Sequence, residues 1–203
     1  MKKEHTDRKQ RKLHTSTLVL FVTSFLVAVV ALDLIYAYGW GEREKIREAT
    51  ASTDVFKTLD ADLLEGGAFT VENLGDAKVT AFNVWETTCP ACLGEMGALE
   101  ELSKTYPASE FQLVGVCADV YDKDLVLKQE QVEKGKTLMQ NAGVTFPNLV
   151  PTPEMYQFIR ATVAGYPTTF FVDSKGNILQ STCGAKEADE WKRTAEEVME
   201  GQK

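Results

Sequence analysis

The chain has 203 residues, 44% hydrophobic and 26% charged, with a formal net charge of −8. These are globular proportions with room for one well-buried core. So acidic a balance repels phosphate backbones, which excludes a nucleic-acid partner.

The charge is unevenly placed. Residues 1–16 form a basic tail carrying Lys2, Lys3, Arg8, Lys9, Arg11 and Lys12 against Glu4 and Asp7, so the remainder is more acidic than the total. Directly after it, TLVLFVTSFLVAVVALDLIYAYGW runs from Thr17 to Trp40 with Asp33 as its one charge. A helix of about 20 apolar residues crosses the hydrocarbon core of a bilayer. Tyr36, Tyr38 and Trp40 stand where an interfacial aromatic belt belongs, and the preceding lysines and arginines keep the N-terminus in the cytoplasm. Residues 17–40 are therefore expected to be a single-pass anchor in the lipid bilayer, with everything after Trp40 extracytoplasmic. A cleaved signal ending at Val29-Val30-Ala31 is the alternative. The apolar run continues past that point, which favours the anchor, and either route exports the body.

Residues 41–66, rich in charge and small polar residues, are expected to be a juxtamembrane linker, and 67–203 the folded domain. KVTAFNVW (78–85) and FQLVGVCADV (111–120) are apolar and β-branched enough for buried parallel strands, with helical spacing between them over 93–106. A second helix is expected over 124–141, interrupted by Gly135, then a turn-rich stretch and a short helix. TTFFVDSKGNILQSTCG predicts two strands joined at DSKGN, and 186–200 predicts a closing amphipathic helix. A β-α-β unit followed by β-β-α implies a mixed sheet flanked by helices.

The chemistry centres on ETTCPACLGEM. Pro90 suits the first position of a helix, which makes Cys89 the N-cap. There a sulfur meets unpaired backbone N–H groups and the positive end of the helix dipole, both of which favour thiolate over thiol. Cys92 falls one turn on, placed to attack a mixed disulfide formed at Cys89. Cys89 is thus the expected nucleophile and Cys92 the resolving thiol. A structural zinc site needs four ligands; His5 and His14, the only histidines, lie in the basic tail, and Cys117 and Cys183 are the only other cysteines. A c-type haem would require histidine where Leu93 stands. No metal and no cofactor are expected.

FNVWETTCPACLGEM, GVTFPNLV and GYPTTFFVDSKGNIL, at these separations behind an N-terminal anchor, resemble the TlpA/ResA-type membrane-anchored thioredoxin-like proteins over about residues 67–200. The resemblance implies a thioredoxin-like α/β fold with an inserted helix before the cis-proline strand. It implies a cis Tyr166–Pro167 bond facing the cysteine pair, where the backbone of Tyr166 pairs with an extended segment of a client. Glu95 matches an acidic residue that sits under the active site and handles protons; an ordinary first-turn glutamate is the other reading. The clients implied are disulfide-bearing extracytoplasmic proteins, reduced at the expense of a membrane electron-donor protein.

Some positions depart from that pattern. Thr88 replaces a tryptophan common before the first cysteine, and Pro-Ala between the cysteines adds no charge to bias the couple. Trp85 suits core packing as well as client contact. Cys117 reads as a buried small hydrophobe, and Cys183 as either a spectator or an accessory thiol. A rival reading, thiol peroxidase of the peroxiredoxin class, wants proline seven residues and threonine or serine three residues before the cysteine; Phe82 and Glu86 stand there. A non-catalytic binding module with a structural disulfide is the second rival.

Overall fold

A computed structural model describes residues 53–202 and, ahead of them, Val29 alone. The expected anchor, residues 17–40, and the basic tail, 1–16, lie outside the described residues apart from that position. Among the described residues no helix is long and apolar enough to cross a membrane.

The described chain opens with a 3-10 turn, Thr53–Phe56, and a small antiparallel ribbon of β1 (Asp60–Asp62) and β2 (Ala68–Thr70). Strand β3 (Val79–Trp85) leads through helix α1 (Pro90–Ser103) to β4 (Phe111–Cys117), which pairs parallel with β3. Helix α2 (Gln129–Asn141), the short strand β5 (Asn148–Leu149) and helix α3 (Pro153–Thr162) come next. The hairpin β6 (Thr168–Asp173) and β7 (Ile178–Cys183) follows, then helix α4 (Ala188–Glu200). The sheet order is β5-β4-β3-β6-β7, with β6 antiparallel to β3.

Every residue of β3 is buried, because helices cover both faces of the sheet. Successive side chains alternate between faces. Val79, Ala81 and Trp85 pack with Met96 and Leu99 of α1 and Trp191 of α4. Phe82 and Val84 join the opposite core with Phe158 and Ile159 of α3. By the same alternation Asn83 faces α1, although it is polar.

Two local features explain glycines. A side chain on Gly115 would put its Cβ 1.8 Å from Asn148 Oδ1, the atom that accepts the Trp85 indole N–H at 3.0 Å. Gly176, at φ +82°, closes the hairpin turn, where the Asp173 carboxylate accepts N–H groups of Lys175 and Asn177.

The structure differs from expectation in three places. Residues 53–66, placed above in the linker, belong to the folded body: Val55, Phe56, Leu59, Ala61 and Leu64 are buried. Their apolar members are diluted by charge in sequence, but Val55, Phe56, Leu59 and Ala61 converge on the α3 face of the sheet, where the Phe56 ring lies 4.7 Å from Phe82 between centroids, and Leu64 joins the opposite core. Helix α2 starts at Gln129, since Asp122 Oδ1 accepts the N–H groups of Asp124 and Val126 and curls the preceding segment into a turn. Gly135 does not interrupt that helix; it is buried against Cys117, whose sulfur would lie 3.2 Å from an added Cβ.

Truncating Phe56 to alanine should therefore cost about 3–5 kcal/mol of unfolding free energy in urea titration, as for a core aromatic; a linker residue would cost nothing measurable.

Candidate active site

The polypeptide leaves β3 at Trp85, turns through Glu86–Thr88 and enters α1 with Cys89 at the N-cap and Pro90 at the first helical position. The Cys92 N–H donates to Cys89 Sγ at 3.1 Å, so a helix-terminal amide does serve that sulfur. The two sulfurs are bonded, 2.17 Å apart. Cys89 is half-buried, whereas Cys92 has no exposed surface. Of the two sulfurs, Cys89 is the one nearer the surface.

Glu95, one turn after Cys92, is buried on the same face of α1, 3% exposed. Three N–H groups from three parts of the chain converge on its carboxylate. Asn83 Nδ2 donates to Oε1 at 3.0 Å, and the Lys186 backbone and Trp191 Nε1 both donate to Oε2 at 3.1 Å. Burial nevertheless outweighs these donors and the Lys186 ammonium, and the carboxyl is held above its ordinary value of 4.5.

A second carboxylate organises the turn before Cys89. Asp119, just past β4, accepts the Thr87 N–H at 3.1 Å and the Thr87 hydroxyl at 2.6 Å, and the Gln131 amide at 3.3 Å. Glu86, in the same turn, is raised above its ordinary range by burial and by the Asp119 charge. It faces the Tyr166 hydroxyl, which burial and Glu86 push up to about 12. Tyr166–Pro167, in the loop that precedes β6, is cis.

A family model described as AhpC/TSA matches residues 53–181. This chain belongs to the AhpC/TSA family. It is 26% identical over 192 residues to thiol-disulfide oxidoreductase ResA of Geobacillus kaustophilus, covering 94% of this chain and 98% of that one. It is 23% identical over 174 residues to sporulation thiol-disulfide oxidoreductase A of Bacillus subtilis, covering 84% and 95%. Among solved structures, a thiol:disulfide interchange protein from Chlorobium tepidum superposes with TM-score 0.57 at 24% identity, over 70% of this chain and 93% of that one. The fold is thioredoxin-like. With a bonded CxxC pair at a helix N-terminus, this AhpC/TSA member is a thiol-disulfide oxidoreductase.

The register places the remaining cysteines. Trp85 pairs with Cys117, Val84 with Thr168, and Thr168 with Cys183, so all these strand ends share the edge that carries the cysteine pair. Cys117 and Cys183 stand three strand spacings apart, about 14 Å, too far for a disulfide. Cys117 is fully buried, and burial together with Asp119 pushes its thiol far above the usual range. It is a packing residue. Cys183 is exposed, its sulfur 3.6 Å from the Gly165 carbonyl oxygen in the loop before Pro167. Trp85, fully buried and bonded to Asn148, belongs to the core.

The sequence pointed to Cys89, Cys92 and Glu95, which the structure places on α1, but not to Asn83, Thr87, Asp119 and Trp191 beside them. Asn83 carried a signal: an amide inside an otherwise apolar strand needs a partner. The others are ordinary residues until the fold brings them in.

Because the folded state holds the Glu95 proton more tightly than the unfolded chain, stability should fall as pH rises from about 4.5 through the raised folded value. Urea unfolding of the oxidised protein from about pH 4 to about pH 8 should show the wild type losing stability relative to Glu95→Gln over that window. A difference that does not change with pH would contradict it.

Proposed function

We propose that this chain is a membrane-anchored, extracytoplasmic reductase of disulfides in other exported proteins. The observation that carries it is the asymmetry of the pair: Cys89 is accessible at a helix N-cap, and Cys92 is buried within bonding distance behind it. The basic tail and the apolar segment 17–40 support the anchored topology.

In the forward reaction the Cys89 thiolate attacks one sulfur of the client disulfide. A mixed disulfide forms, and the other client sulfur leaves with the electron pair. Cys92 then gives its proton to Glu95 and attacks Cys89. The Cys89–Cys92 bond forms, the second client sulfur leaves as thiolate, and two electrons have passed to the client. The disulfide in the structure is the spent form of this cycle, so a dithiol donor must restore it; a membrane electron-donor protein fits that place. The client's extended backbone pairs beside Tyr166–Pro167. Cys183, exposed in the adjoining strand end, is a candidate accessory thiol on the same edge.

The peroxidase reading fares worse on this geometry. Three residues before Cys89 the chain offers Glu86, an acid rather than a hydroxyl, and seven before it Phe82 is locked in the core.

Replacing Cys92 with serine should trap exported proteins on Cys89 as reducible adducts, seen by diagonal electrophoresis of the membrane fraction, and Cys89→Ser should abolish them. Peroxide consumption that survives loss of Cys92, with no adducts, would return the peroxidase.

A further inference from the structure

Asn83 sits in the middle of β3 with no exposed surface. Its Nδ2 donates to Glu95 Oε1 at 3.0 Å and to Thr169 Oγ1 at 3.1 Å, Thr169 being its direct cross-strand partner on β6. Its Oδ1 is buried and has no hydrogen-bond partner among the described residues. An orphaned buried acceptor is costly and calls for a reason.

The donors around Glu95 supply one. All three groups facing the carboxylate are N–H donors, an arrangement made for the anion. The neutral acid needs an acceptor for its own proton, and none of the three offers one. Turning the Asn83 amide end for end would set Oδ1 against Oε1, a contact that is repulsive for the carboxylate and attractive for the acid. Thr169 serves both orientations, because its hydroxyl can accept from Nδ2 or donate to Oδ1. The spare oxygen thus finds partners only in the second orientation, in which Nδ2 takes over the unpaired place.

We propose that Asn83 is a positioning residue for the resolving step, its amide holding Glu95 as carboxylate in one orientation and as acid in the other. The inference rests on the proposed function, and within it on Glu95 as acceptor of the Cys92 proton. When Cys92 attacks the mixed disulfide, its proton passes to Oε1, the new sulfur–sulfur bond forms, the client sulfur leaves with its electron pair, and Asn83 turns to accept the proton's hydrogen bond. Other groups face Glu95 without taking this part. Lys186 contributes its backbone N–H and a nearby ammonium that pairs with Glu190 at 3.1 Å, Trp191 contributes its indole N–H, and the cysteine pair lies one turn along α1.

The test uses the full chain and follows release of a preformed mixed disulfide at Cys89 as a function of pH, in the wild type, Glu95→Gln, Asn83→Leu and Thr169→Val. The wild type should show an inflection above the ordinary carboxylate range, and Glu95→Gln should lack it. Asn83→Leu, which removes a donor to the anion, should move the inflection upward and slow release below it by about five- to tenfold. Thr169→Val, which removes a partner common to both orientations and leaves Glu95 untouched, should slow release about equally at every pH and leave the inflection in place. A slowing equal at every pH in Asn83→Leu, as in Thr169→Val, would mark a merely structural role and overturn the inference; should Asn83→Leu fail to fold, Asn83→Ala is judged by the same inflection. An inflection that persists in Glu95→Gln would remove Glu95, and this inference with it. Continued trapping of clients by Cys92→Ser would show the reductase reading standing apart from either failure.

Discussion

Strand β3 is the constraint on which the site depends. Seven consecutive buried residues, covered by helices on both faces, leave the chain no solvated stopping point before Trp85. It must then turn within three residues and start a helix, so Cys89 arrives where four backbone N–H groups have no partner inside the helix. Sulfur chemistry follows from that joint. The same strand sends Asn83 to the α1 face, and so puts an amide against the carboxylate that lies one turn behind Cys92.

Charge in this protein is managed by convergence. Glu95 is reached from β3, from the segment before α4 and from α4 itself, three elements that meet only after the sheet is assembled. Asp119 does the same for the turn at Thr87 and draws a donor from α2. A buried carboxylate is tolerable only when fixed donors replace the water it has lost. Glu95 and Asp119 therefore act as staples between elements, and the ionisation of Glu95 is coupled to their packing.

Much of the layout was legible in order along the chain. The parallel pair β3–β4, the β6–β7 hairpin, the closing helix and the N-cap position of Cys89 all rest on local signals of periodicity, turn chemistry and a proline after the cap. Two of the three failures were of one kind. Residues 53–66 looked like a linker because their apolar members are spread among charges, and only the sheet face that Phe56 and Leu59 cover gives them a core to join. Gly135 looked like a break in a helix, whereas it marks the close approach of Cys117 from a neighbouring strand, whose sulfur an added Cβ would crowd at 3.2 Å. Both errors concern contacts between residues far apart in sequence.

The sequence by itself determined the redox centre and the order of the elements around it, because a cysteine, a proline and a helix start act over a few residues of contiguous backbone. Tertiary structure alone decided which thiol is exposed, which carboxylates are buried and what stands opposite them. Those properties depend on desolvation and on donor geometry at distances near 3 Å, and such distances exist only between segments that the folded sheet has brought together.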